Sequence, residues 1–326
     1  MTTATPSRRQ RTKPNLDSFL SQMIAESGYD PSLAPESYVS IARCGLQQRS
    51  LWLAIAATGL LVREKPCTLR GLFYRVVSAG VLPSTDKEHY QKLGRVMTTL
   101  REAGVVPFSW LVDNVRATQK PSSWSGIADY ADTVRNAYRL SFWDRLPEYP
   151  HIIAEKDAIA GVLAPVCREY DVALSPIRGY VSLSFAHEIA STWNEITKPI
   201  TAYYMGDFDP SGFDLERDVR AKLERYCTRP FSWVRLGVNE ADFDEFSLIE
   251  LAPKQSDRRT TTFIREHGNR CAELDAIPAT ELRRRVRDSI LNHVPAGEWE
   301  RLQMTERAER RQWTEFIDAL KTTGSV

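Results

Sequence analysis

From residue 150 onward, short apolar runs alternate with longer stretches of helical period. "HIIA", "VALSPI", "ITAYYMG" and "FSWVRLGV" read as strands, each bounded by polar or turn-forming residues. Between them, "KDAIAGVLAPVCREY", "LSFAHEIASTW" and "SGFDLERDVRAKLERYC" place apolar residues three and four positions apart, which predicts helices. Strands that alternate with helices predict parallel βα units and a sheet covered on both faces. The charged amphipathic segments from "ELRRRVRDSIL" to "RAERRQWTEFIDAL" predict C-terminal helices.

The first half has a different rhythm. Residues 36–62 read as helical and end in the apolar run "SLWLAIAATGLL". "TLRGLFYRVVSAG" (68–80) predicts a short helix, with Thr68 as N-cap and Gly80 as its stop. "STDKEHYQKLGRVMTTLREAG" (84–104) predicts a longer one, with Tyr90, Leu93, Met97 and Leu100 on its apolar face. "VVPFSWLVDNVR" (105–116) alternates loosely, as a strand or hairpin would. The polar loop "ATQKPSSWSG" after it should be exposed. Three helices followed by a β-wing predict a winged helix-turn-helix. The expected fold class is therefore α/β: an N-terminal winged helix, then a parallel-sheet domain with C-terminal helices. The expected organisation is a basic arm over 1–35, a DNA-binding domain over 36–145 and a sheet domain over 146–326.

Composition changes this picture little. The chain has 326 residues, enough for two domains, and its 42% hydrophobic and 26% charged content is ordinary for a globular protein. A net charge of +1 gives no global signal for nucleic acid, so any DNA surface must come from local clustering. Arg8, Arg9, Arg11 and Lys13 cluster in this way in the N-terminal arm, where they could touch phosphates or simply be solvated. The five cysteines (Cys44, Cys67, Cys167, Cys227 and Cys271) include no CxxC pair. Their scatter argues against a zinc site or a disulfide framework and fits a reducing, cytoplasmic setting. No apolar run approaches the roughly 20 residues that span a bilayer.

Candidate chemistry centres on "YYMGDFDPSGFDLERDV". Asp207 and Asp209 stand one residue apart where a strand becomes a loop, and no basic residue follows until Arg217. In open α/β sheets, ligands sit beyond the carboxyl ends of the strands. Glu155, after "HIIA", occupies the same kind of position. If the two strands are neighbours, the three carboxylates converge, and oxygen-only ligation of that kind suits Mg²⁺. A divalent cation would then offset their repulsion. The alternative is that Asp207 and Asp209 only cap the helix that starts near 211. Asp214, one turn further on, is either an assisting carboxylate or a solvated first-turn residue.

On the 68–80 helix, at about 100° per residue, Leu69, Leu72, Phe73, Val76 and Val77 share a face, and Tyr74 falls roughly 130° from its centre. Arg70 lies one turn earlier on the same flank. Such a pair could attack a DNA phosphate and steady the charge that develops. A half-exposed tyrosine packing on a neighbour fits equally. Mid-helix Gly71 costs about 1 kcal/mol relative to alanine, tolerable if something must approach the backbone. On the next helix, Lys87, Gln91, Arg95 and Thr98, with Lys92 beside them, line the face opposite the apolar stripe, as on a groove-facing helix or a merely solvated one.

Taken together, "TLRGLFY", the glutamate of "IIAEKDAIAG" and "GDFDPSG", in this order, resemble the A subunit of topoisomerase VI and its meiotic relative Spo11, over roughly residues 40–240. The resemblance implies that the α/β part is a Toprim domain and that Tyr74 forms a 5′-phosphotyrosyl link, with Arg70 as its partner. It implies that Glu155, Asp207 and Asp209 bind Mg²⁺, with Mn²⁺ as a substitute. It further implies a homodimer that breaks double-stranded DNA, the tyrosine of one protomer working with the metal site of the other. Phe73 stands where some relatives carry a first tyrosine, which leaves Tyr74 as the candidate. The chain has no ATP-binding motif, so strand passage would need a separate B-type ATPase subunit. A nucleoid-associated enzyme is the corresponding location. Two other readings stay open: a Toprim nuclease that hydrolyses DNA through metal-activated water, and a non-catalytic DNA-binding accessory protein.

Overall fold

A computed structural model describes residues 40–111, 121–253 and 257–322. The chain forms two compact units. One comprises the residues up to Arg63 with Leu72–Trp110, and the other Glu64–Gly71 with Leu111 onward. The division falls after residue 110 instead of near 145, and it assigns the short segment 64–71 to the sheet unit. The basic arm, with Arg8, Arg9, Arg11 and Lys13, lies outside the described residues.

The first unit is helical. Helix α1 runs Gln48–Glu64, α2 runs Leu69–Ser78 and α3 runs Lys87–Glu102. α2 begins in the sheet unit and continues into this one. Its stop is Gly80, whose φ of 71° lies in the left-handed region that glycine adopts without strain. Of the expected stripe on α3, Leu93, Met97 and Leu100 are buried and Tyr90 is half-buried, and Val96 is buried with them. The ring of Tyr90 meets Phe73 edge-on, with 5.3 Å between centroids. The strand or hairpin expected over 105–116 is not formed in its described part. Phe108–Trp110 is instead a single 3₁₀ turn, and Leu111 makes only an isolated bridge with Cys67. Pro107 explains the turn, since it has no amide to give a ladder and its carbonyl accepts from the Trp110 amide at 3.1 Å. Residues 112–116 lie outside the described residues.

The second unit is built on a four-stranded, wholly parallel sheet of order β2-β1-β3-β4. Its strands are β1 (Tyr149–Ala154), β2 (Ala173–Pro176), β3 (Ile200–Met205) and β4 (Ser232–Arg235). Four helices serve the sheet: α5 (Asp157–Glu169), α6 (Leu183–Glu195), α7 (Pro210–Tyr226) and α9 (Ala279–Leu291). α6 packs with α7, and α5 with α9. Both faces are therefore covered, which is why the strands read as nearly continuous apolar runs. Against α6 and α7, Ile153, Ala202 and Tyr204 pack with Ile189, Trp193, Val219 and Leu223. His151 sits in this face without charge. Trp193 Nε1 donates to its Nδ1 at 3.0 Å, and its Nε2 lies 2.9 Å from Ser175 Oγ.

Among the further helices of this unit are three of eight residues or more. α4 (Ile127–Ala137) was not foreseen; α8 (Thr260–His267) and α10 (Glu298–Thr322) follow the sheet. Residues 121–126 of the polar loop are exposed, as expected. All five cysteines are free thiols. Among the described residues, no helix is long and apolar enough to cross a membrane.

Candidate functional site

The strand order locates the site. From β1 the chain goes to β2 on one side, then crosses to β3 on the other. β1 and β3 thus flank the point where the winding reverses, and their carboxyl ends open the crevice where ligands bind in such sheets. They pair in register from Tyr149–Ile200 to Ala154–Met205, so Glu155 and Asp207 emerge beside one another. The expected neighbourhood of the two strands is met.

Glu155 is buried. Its Oε2 accepts from the Asp207 amide at 3.0 Å and from the Tyr204 hydroxyl at 3.4 Å. Burial, then the negative charge of Asp207, pushes its carboxyl up to about 7. Asp209 is the N-cap of α7, with Oδ1 accepting from the Gly212 amide at 2.7 Å. Burial raises its pKa, against the opposing hydrogen bond from Gly212. The capping role proposed for the pair therefore holds for Asp209 and not for Asp207. Pro210 at the first helical position suits a terminus where an amide would be unpaired anyway. Gly212 has a different reason: a Cβ there would stand 2.4 Å from the Asp207 carbonyl oxygen. The glycine of "DFDPSG" lets α7 start directly against the backbone of the aspartate loop.

Asp207 has other partners. Lys156 Nζ lies 2.7 Å from its Oδ2 and 3.0 Å from its Oδ1, and the Leu274 amide donates to Oδ1 at 2.8 Å. The same ammonium is 3.6 Å from Asp275, a fully buried carboxylate. Burial alone would lower the Lys156 pKa, but Asp207, Asp275 and Glu273 outweigh it and raise it. A lysine ammonium thus lies against Asp207 and Asp275.

The segment 273–275 reaches the site by long-range pairing. Phe208 and Ala272 form an antiparallel bridge, as do Leu251 and Cys271. This brings Glu273, Leu274 and Asp275 across the end of β3 and onto residues 64–71 of the same unit. Thr68 Oγ1 donates to Asp275 and accepts from the Gly71 amide at 2.7 Å, the cap expected for α2. Gly71 is where the loop comes close, since a Cβ there would lie 3.2 Å from Thr68 Oγ1 and 3.5 Å from the Asp275 carbonyl. Arg70 Nη1 donates to both oxygens of Glu273, at 2.7 and 2.9 Å. Arg283 on α9 fixes the segment from the other side, donating to the carbonyls of Pro66 at 2.7 Å and Glu64 at 3.0 Å.

Tyr74 differs from the expectation. It is 4% exposed and counts among the buried residues of α2, where a flank position had placed it off the apolar face. A single helix wheel shows one packing face, whereas this helix is covered on more than one. On α3, Lys87, Gln91, Arg95 and Thr98 are exposed and Lys92 half-buried, as read. Asp214 does not reach the carboxylate group. It pairs with Arg217 at 2.6 Å and Arg259 at 3.2 Å and accepts from Tyr180. Arg259 in turn donates to Ser211 Oγ at 3.0 Å, tying α8 to the start of α7.

The donor set of Glu155, Asp207 and Asp209 has the chemistry of a magnesium site: oxygen only, partly buried and rich in negative charge. Four carboxylates, with Asp275, face one ammonium. Among the described residues, however, no group of three or more His, Cys, Asp or Glu is arranged to hold a metal ion as it stands. The cause is visible in the pairing, because Asp207 is turned to Lys156 and Leu274, and Asp209 to its own helix. Lys156, Asp275, Glu273 and Thr68 complete the site. Lys156 could have been noticed as the neighbour of Glu155, but Asp275 lies in a loop with no periodic signal. No family model and no curated protein matches the chain.

Proposed function

We propose that the chain is a Mg²⁺-dependent DNA transesterase of the topoisomerase VI A type, combining a winged helix with a Toprim domain. The observation that supports this most is the meeting of Glu155, Asp207 and Asp209 at the β1–β3 crevice. In this reading the Tyr74 oxygen attacks a backbone phosphorus and the bond from phosphorus to the 3′ oxygen breaks. The phenolic proton leaves to a base and the departing 3′ oxygen takes one up. A 5′-phosphotyrosyl link and a free 3′-hydroxyl remain. Glu155, Asp207 and Asp209 hold the cation, which when bound stabilises negative charge on the phosphate oxygens. Arg70 sits on the same helix as Tyr74 and can exchange Glu273 for a phosphate. Two protomers acting together break both strands, and strand passage needs a B-type ATPase partner.

A second reading is favoured by one observation. Tyr74 is buried, so its hydroxyl must be uncovered before it can attack. A hydrolytic Toprim nuclease, in which water is the nucleophile, has no such requirement.

The test is an assay for protein covalently attached to DNA. Supercoiled plasmid is incubated with Mg²⁺ or Mn²⁺ and wild type, Tyr74→Phe or Asp207→Ala, then resolved on denaturing gels with and without protease. The expected result is adducts with wild type alone. Breaks without adducts that survive Tyr74→Phe would establish the nuclease reading instead. DNA binding with neither breaks nor adducts, with B-type ATPase supplied, would reject both.

A further inference from the structure

We propose that Lys156 is the resident counter-ion of the acidic site. Its ammonium holds the place between Asp207 and Asp275 in the metal-free protein and must withdraw for a divalent cation to load. This rests on the reading of Glu155, Asp207 and Asp209 as cation ligands.

Three observations carry it. First, Lys156 Nζ spans both oxygens of Asp207, at 2.7 and 3.0 Å, and stands 3.6 Å from Asp275. A divalent cation that takes Asp207 as a ligand would meet the positive charge of that ammonium at close range. Second, the carboxylates outnumber the ammonium. Glu155 and Asp209 lie beside Asp207, and Glu273 adds its charge from the neighbouring loop. A divalent ion interacts with these carboxyl groups about twice as strongly as a single ammonium at the same distance. Third, Lys156 has somewhere to go. Its side chain is 32% exposed, while Asp207 is 8% and Asp275 3% exposed. The flexible stem can swing its head to water while the Leu274 amide still holds Asp207 and the Thr68 hydroxyl still holds Asp275.

The consequence reaches beyond charge. Asp207 is bound to the Leu274 amide, and Asp275 to Thr68 at the start of α2. Lys156 therefore also clamps segment 273–275 while the metal is absent, and it acts as a positioning residue, not as a catalytic one. Exchanging a lysine for a divalent ion would keep that segment in place through the same carboxylates.

Two measurements test this without relying on catalysis. The first is Mn²⁺ binding, followed by the electron paramagnetic resonance signal of free Mn²⁺, in wild type, Lys156→Met and Asp207→Asn. Lys156→Met is expected to bind at least about tenfold more tightly than wild type, because the competing cation is gone. Asp207→Asn is expected not to bind. Wild type and Lys156→Met binding alike, or the variant binding more weakly, would overturn the role of Lys156 while leaving the cation site standing. Absence of binding in every folded protein, or binding that survives Asp207→Asn unchanged, would overturn the site and the inference with it.

The second measurement needs no variant. Wild-type protein is treated briefly with an amine-acetylating reagent with and without saturating Mn²⁺, and modification is read residue by residue by mass spectrometry. Acetylation of Lys156 is expected to rise several-fold with Mn²⁺, while exposed Lys87 stays constant. An unchanged Lys156 rate under Mn²⁺ would overturn the inference.

Discussion

The most informative residues are the buried polar ones, because each needs a reason to be where it is. His151 is buried, and burial holds its imidazole down to about 4 from an ordinary 6.5. The unfolded chain therefore binds a proton between those values that the folded chain refuses, so stability rises with pH across this window and falls on acidification. A difference of that size is worth about 3 kcal/mol. Urea unfolding from pH 7 to pH 4 should show this loss in wild type and a shallower one in His151→Gln, whatever that variant's stability at pH 7. Parallel pH profiles would mean that His151 is not the group responsible. Thr68 is a second case, since its hydroxyl caps α2 through Gly71 and also serves the buried Asp275. Thr68→Ala should cost about 1–3 kcal/mol, with Thr68→Ser recovering most of it, because one substitution removes a cap and a donor to a buried carboxylate. A neutral Thr68→Ala in chemical denaturation would show that the Asp275 loop does not depend on this contact. The cap at Thr68 was legible in local sequence, but the partner it serves, Asp275, lies far away in the chain.

At the scale of elements, what could be read was what repeats. Strand–helix alternation predicts the parallel, doubly covered sheet, and the strand ends point to Glu155, Asp207 and Asp209, which follow the paired strands β1 and β3. The stripe of Leu93, Met97 and Leu100 gave the buried face of α3. The unread parts are those whose pairing is non-local. In the described part of the expected wing, Pro107 turns an alternating stretch into a 3₁₀ turn. Segment 271–275 looked featureless because its partners, Phe208 and Leu251, are remote in sequence. Burial of Tyr74 escaped because a helix wheel counts one face only. Between these lies the start of α7, where sequence and packing meet in Gly212. A methyl group there would meet the Asp207 carbonyl at 2.4 Å, a distance that no adjustment of a flexible side chain can relieve. Gly212→Ala, which would favour an ordinary helix by about 1 kcal/mol, should instead destabilise by about 2 kcal/mol or more. It should also move the backbone amide resonances of Asp207 and Asp209. A stabilising Gly212→Ala would mean that α7 begins further from the aspartate loop than described.

At the scale of the whole molecule, a net charge of +1 leaves DNA affinity to local groups, and the cations of α3 are the candidates that the structure leaves accessible. Lys87 and Arg95 are exposed along one side of that helix. Affinity carried by phosphate contacts falls with salt, and each neutralised phosphate contributes about 0.9 to the slope of log K against log salt. That slope counts protomers as well as residues. If α3 lies on DNA and one protein binds, Lys87→Ala should reduce the slope by about 0.9; if two protomers bind as a symmetric pair, by about 1.8. The Lys87→Ala, Arg95→Ala double variant should reduce it by twice as much in either case. Fluorescence anisotropy with a labelled duplex, over a series of chloride concentrations, measures both together. A reduction near the larger value supports the paired arrangement that a double-strand break requires, since two tyrosines must reach two strands. A reduction near the smaller value leaves one active site per DNA and fits nicking only. An unchanged slope would remove α3 from the DNA surface and turn attention to the exposed cations of the sheet unit, among them Arg178 and Arg217.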